Sequence, residues 1–115
     1  MPRKEYIKGT LRTIVLKLLS ESDKMYGYEI TQKVEELTKG QITLTYGALY
    51  PILYKLENEG LLETTSEIVD GRARKYYTLT SDGKGVAKVK VDELNQFIKS
   101  LTTLLAPQPK LNASF

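Results

Sequence analysis

The sequence predicts a mainly α-helical chain with a small β-hairpin, an α+β fold, and three observations carry that expectation. Apolar residues recur at helical spacing in three successive short segments. A hairpin-like run of β-branched and aromatic residues follows them. A long stretch with heptad spacing closes the pattern. A chain of 115 residues with 41% hydrophobic content has room for one domain around a modest core and not for a second.

The first helix is expected over residues 8–21, where Leu11, Ile14, Val15, Leu18 and Leu19 fall on one face. Ser22, Asp23 and Lys24 break the pattern. A second helix runs from about Tyr26 to Thr38, with Tyr26, Ile30, Val34 and Leu37 on one side and Lys39-Gly40 closing it. The third, Tyr46 to Glu59, carries Leu49, Ile52, Leu53 and Leu56, and Gly60 stands where a left-handed terminating residue belongs. Pro51 leaves two starts open: near Tyr50 with the proline in the first turn, or near Thr45 with a kink at the proline. On this reading three helices precede any strand.

Leu61 to Val69 is rich in Thr, Ile and Val, and Lys75 to Thr80 resumes a strand-like run, so residues 61–80 read as a hairpin. Its tip is a five-residue basic segment, Asp70 to Arg74. Thr80 and Ser81 are good N-caps for a final helix whose apolar residues Ala87, Val91, Leu94, Ile98, Leu101 and Leu105 form a heptad seam. Phe97 and Leu104 widen that seam, so this helix requires a partner for its apolar surface. Residues 106–115 have no period and two prolines, and are expected to be a disordered tail.

Composition narrows the function. The chain has no Cys and no His, which removes disulfides, thiolate chemistry and the commonest metal ligand and general base. An enzyme is therefore disfavoured, and no metal or cofactor is expected. No apolar run approaches the roughly 20 residues of a membrane span and the N-terminus lacks a secretory signal, so the expected address is the cytoplasm. The net charge of +3 permits a nucleic-acid partner without demanding one.

Three helices followed by a two-stranded ribbon is the order of a winged helix-turn-helix, in which the third helix enters the DNA major groove and the wing reaches the flanking backbone or minor groove. The expected contacts are Thr43, Thr45, Tyr46, Gly47, Tyr50 and Lys55 around the third helix and Arg72, Arg74 and Lys75 at the wing tip. Tyr54 shares the face of Tyr46 and Tyr50, but is read as a boundary aromatic with a packed ring and a wet hydroxyl. Arg3, Lys4 and Lys8 read as a solvated terminus. A winged helix used as a protein-interaction module is the alternative.

Tyr26-Gly27-Tyr28-Glu29-Ile30, Thr45-Tyr46-Gly47-Ala48-Leu49-Tyr50-Pro51-Ile52-Leu53, Leu56-Glu57-Asn58-Glu59-Gly60-Leu61-Leu62 and Gly71 to Thr80 followed by Gly83 resemble the PadR family of bacterial transcriptional regulators. The likeness covers about residues 6–105. It implies a dimeric repressor with a DNA-binding domain over residues 1–80 and a dimerisation helix over 81–105. The interface would be formed by Val91, Leu94, Phe97, Ile98, Leu101 and Leu105, and one final helix resembles the short subfamily. A proline after the Leu-Tyr pair is usual in the family, which favours the third-helix start near Thr45. Some members respond to phenolic acids or drug-like aromatic compounds near the dimer interface, which implies a small aromatic effector. This chain has no Trp for such a ligand, and Phe97 is the only aromatic residue of the last helix.

Overall fold

A computed structural model describes residues 4–110, so the expectations for Arg3, the Lys4 side chain and residues 111–115 lie outside it. The N-terminal segment forms two helices instead of the single one expected, α1 (Lys4–Lys8) and α2 (Leu11–Ser20). Gly9 has poor helix propensity, and the Thr10 hydroxyl donates back to the Ile7 carbonyl at 3.0 Å, so the helix breaks between them. Leu11, Val15, Leu16, Leu18 and Leu19 of α2 are buried in the core.

A strand absent from the sequence reading, β1 (Met25–Tyr26), precedes α3 (Gly27–Leu37). Two residues are too few to show a period of two, and only pairing with a distant strand creates this element. Ile30 and Val34 face the core as expected, whereas Leu37, in the last turn of α3, is 61% exposed and leaves the predicted stripe. The third long helix, α4, spans Tyr46–Asn58 with Thr45 as its N-cap, and the Thr45 hydroxyl accepts from the Ala48 N–H at 3.2 Å. Of the two possible starts the earlier one is realised, with Pro51 inside the helix. Gly60, at φ +78°, ends it in the left-handed conformation that glycine adopts without a Cβ clash.

Strands β2 (Leu62–Val69) and β3 (Arg72–Leu79) form the hairpin in antiparallel register from Leu62 opposite Leu79 to Val69 opposite Arg72. β1 adds to the other edge of β3, with Met25 opposite Tyr77, so the sheet has three strands in the order β1-β3-β2. The tip is shorter than the expected five residues. Asp70 and Gly71 alone make the turn, at φ +52° and +77°, the paired left-handed conformation of a tight hairpin turn that Asp-Gly favours. Arg72 and Arg74 are consequently strand residues.

The final helix, α5 (Ser81–Leu105), is capped by Thr80, whose hydroxyl accepts from the Gly83 N–H at 3.0 Å and donates to the Gly60 carbonyl at 2.8 Å. A Cβ at Gly83 would collide with the Leu61 carbonyl, so helix and wing are in backbone contact there. The first part of α5 packs on α2, burying Ala87. The second part extends away, and every residue from Asn95 to Leu105 is exposed. The core beneath is one cluster centred on Val15, Leu16, Leu19, Ile30, Leu49, Leu53 and Leu56. Pro107 to Lys110 carry no regular secondary structure.

Candidate nucleic-acid interface

On α4, Leu49, Leu53 and Leu56 have no exposed surface, and their spacing of four and three fixes which way the helix turns. Tyr46, Tyr50 and Tyr54, one helical repeat apart, are then forced outward and are 46%, 46% and 67% exposed. The rings of Tyr46 and Tyr50 lie 5.7 Å apart, centre to centre. Tyr54, read from sequence as a packed boundary residue, is the most exposed of the three. The packed one is Tyr50, whose ring edge and hydroxyl cross to α3 over Gly27, where a Cβ would stand 2.5 Å from the hydroxyl oxygen.

Thr43, Thr45, Gly47 and Lys55 are exposed around this stripe. Among the described residues Lys55 and Arg72 form no ion pair. The hydroxyls and the uncommitted Lys55 ammonium along α4 suit phosphate and base-edge contacts, and the uncommitted Arg72 guanidinium on the wing suits phosphate.

The wing cations do not gather at a tip, because successive side chains of a strand point to opposite faces. Arg74 projects to the face of β1, with its guanidinium carbon 4.1 Å from the Tyr26 ring centre, and its hydrogen bond with Tyr76 holds its pKa above even the usual arginine range. Tyr26 meets Tyr76 edge-on at 5.5 Å and stacks with Tyr28 at 6.3 Å. Lys24 lies 4.6 Å over the Tyr76 ring and is hydrogen-bonded to Glu67, which raises its pKa. Lys75 projects to the α4 face, 3.7 Å from Glu57 and 5.5 Å from the Tyr77 ring centre. Between α4 and β3 lies an open cleft of about 540 Å³ lined by Tyr50, Pro51, Tyr54, Glu57, Lys75 and Tyr77.

Sequence spacing alone does not bring Lys24, Gly27 and Glu57 to this region. Gly27 and Tyr28 stand in a motif read for its family likeness, and nothing local to Gly27 announces that Tyr50 crosses it. Glu57 reads as an ordinary exposed helix charge, yet is half-buried at the cleft. Of the expected interface residues on α5, Val91 and Leu94 are half-buried in the single chain, whereas Phe97, Ile98, Leu101 and Leu105 are exposed. Among the described residues no group of three or more acidic side chains could hold a metal ion, and no described helix is long and apolar enough to cross a membrane.

The chain matches the transcriptional regulator PadR-like family over residues 15–89. It is 36% identical over 94 residues to an uncharacterized protein of Lysinibacillus sphaericus, covering 81% of this chain and 85% of that one. It is 33% identical over 81 residues to a transcriptional regulator of Mycobacterium tuberculosis, covering 70% and 72%. Its fold is similar to that of a transcriptional regulator from Clostridium thermocellum, with a TM-score of 0.79, 28% identity and coverage of 88% of this chain and 98% of that one. A PadR-like transcriptional regulator from Bacillus cereus gives 0.75, 26%, 90% and 99%.

Proposed function

The chain belongs to the PadR-like family of transcriptional regulators, which bind DNA and are not enzymes, and from that premise we propose that it is a cytoplasmic homodimeric repressor of a pseudo-palindromic operator. The observation that carries the reading is the exposed stripe of Tyr46, Tyr50 and Tyr54, backed by the fully buried Leu49, Leu53 and Leu56 and flanked by the wing. In this proposal residues 1–80 are the DNA-binding unit. α4 enters the major groove, Tyr46 and Tyr50 reach base edges, and Thr43, Thr45, Gly47 and Lys55 meet the neighbouring backbone. Arg72, Arg74 and Lys75 of the wing contact flanking phosphates.

Residues 81–105 join two copies. Phe97, Ile98, Leu101 and Leu105 are exposed on α5, and water contact over so many apolar side chains is costly enough to drive pairing with a second copy at about 25 cal/mol per Å² buried. Two reading heads would then face half-sites about one DNA turn, roughly 34 Å, apart, and their occupancy would exclude polymerase. A small aromatic effector between paired α5 helices would stack on Phe97, the one aromatic side chain of that helix.

The test is a gel shift on the DNA upstream of its own gene across a salt series. Arg72→Ala should weaken binding to all sequences alike and reduce the log–log salt slope by about 0.9, one phosphate contact, whereas Tyr50→Phe should also change site preference. Absence of any specific, salt-sensitive complex would favour the protein-interaction module instead.

A further inference from the structure

We infer that Glu57 restrains DNA binding by holding Lys75, the wing cation on the α4 side, away from phosphate. The inference rests on the proposal that the face formed by α4 and the wing contacts DNA. Glu57 lies in the last turns of α4 and lines the cleft between that helix and β3. One carboxylate oxygen stands 3.7 Å from the Lys75 ammonium, and the other accepts a hydrogen bond from the Thr64 hydroxyl of β2 at 3.2 Å. The carboxylate is thus tied to both hairpin strands.

The two partners differ in freedom. The Glu57 side chain is 29% exposed and anchored by Thr64, whereas that of Lys75 is 51% exposed and can swing outward. A phosphate approaching the cleft therefore meets an anchored carboxylate and a cation already facing it at 3.7 Å. A Lys75 that swings outward to a phosphate gives up part of its attraction to Glu57, and the carboxylate stays behind in the field of a duplex that carries one charge per about 1.7 Å. Like charges held that close oppose association. The other ion-paired acids among the described residues differ: Glu59 is paired with Arg12 at 2.5 Å, Glu67 with Lys24, Glu21 with Lys17 and Glu93 with Lys90, none of them at the cleft.

The experiment is a fluorescence-anisotropy titration of the full chain with a mixed-sequence duplex of roughly three helical turns, in a series of KCl concentrations. Glu57→Gln keeps an oxygen for Thr64 and removes the charge. It should tighten binding roughly three- to tenfold and steepen the salt slope by up to about 0.9. Glu59→Gln, the same charge change outside the cleft, should alter affinity less than about twofold. In the double variant Glu57→Gln/Lys75→Ala the gain should vanish. Unchanged or weaker binding by a natively folded Glu57→Gln overturns the inference, as does a gain that persists without Lys75. Should Glu57→Gln fail to fold, Glu57→Met, also uncharged and of similar volume, is read by the same outcomes. If Lys55→Ala and Lys75→Ala in the Glu57→Gln background both leave affinity and slope unchanged, the placement of DNA on this face falls. If Lys55→Ala weakens binding while Glu57→Gln does nothing, only the restraint falls.

Discussion

Gly27 and Tyr50 show how a single missing methyl group positions an exposed tyrosine of the proposed reading face. The Tyr50 hydroxyl lies where a Cβ at position 27 would approach within 2.5 Å, and Gly27 is not in the left-handed region, so an alanine backbone is tolerated there. Gly27→Ala should therefore push the far end of Tyr50 aside instead of unfolding α3. DNA affinity is expected to fall roughly five- to tenfold while the folding free energy changes by less than about 1 kcal/mol, a pair of outcomes that anisotropy and urea titration would separate. Equal losses in both would show that the contact is merely structural. The identity of the tyrosine stripe was legible in the sequence because Leu49, Leu53 and Leu56 dictate the opposite face. Its packing was not, since a ring crossing between two helices leaves no mark on either helix's periodicity. Tyr54 illustrates the same limit: sequence could place it on the stripe but not say that α3 receives Tyr50 and leaves Tyr54 in water.

The elements divide between those with strong local rules and those created by pairing. α4 and α5 were readable because capping threonines and apolar spacing agree, with Gly60 ending α4. Thr80 is the clearest instance, bonding forward to Gly83 and back to Gly60. Thr80→Ala should cost about 1–2 kcal/mol in urea unfolding, since it removes an N-cap acceptor and a tie to the end of α4 together. β1 lies at the other extreme, as two residues become a strand only because β3 offers its free edge. The wing was legible as a hairpin, but its alternation was masked by the run Arg72-Ala73-Arg74-Lys75, which reads as one cationic tip until the Asp70-Gly71 turn fixes which side each residue faces. β3 also buries Tyr77, and desolvation raises its phenol pKa, with Tyr50 and Glu57 adding to the effect. A folded pKa above the unfolded value means that the contribution is fully present below the ordinary phenol value near 10 and is lost as the pH rises through the folded value. Stability should thus decline above about pH 10, and Tyr77→Phe should decline less over that interval, as followed by urea midpoints at stepped pH. Equal slopes for the two proteins would assign the alkaline loss to other groups.

At the scale of the molecule, α5 was predicted as one continuous seam, yet the structure divides its labour. Ala87 is buried on the chain's own α2, Val91 and Leu94 sit at the margin, and the residues from Asn95 onward project free along a molecule 73 Å long. Periodicity cannot tell an apolar face covered from within from one left for a partner, since both obey the same spacing. The division locates the proposed pairing in the outer part. Leu101→Asp or Ile98→Asp should give a monomer in sedimentation that is still folded, its melting temperature lowered only by the loss of the pairing, whereas a charge at Ala87 should unfold the chain itself. A dimer that survives both outer substitutions would remove α5 from the interface. The contact between Gly83 and the Leu61 carbonyl then has a mechanical meaning. It brings the arm to the body at backbone distance, braced by the Leu79 side chain and the Thr80 hydroxyl, so in a paired molecule the distance between the two proposed reading heads would behave as a fixed caliper. Such a protein would measure its operator as much as read it. Lengthening the spacer by one base pair, which shifts a half-site by about 3.4 Å and turns it about the helix axis, should be tolerated worse than a change in the half-site's letters.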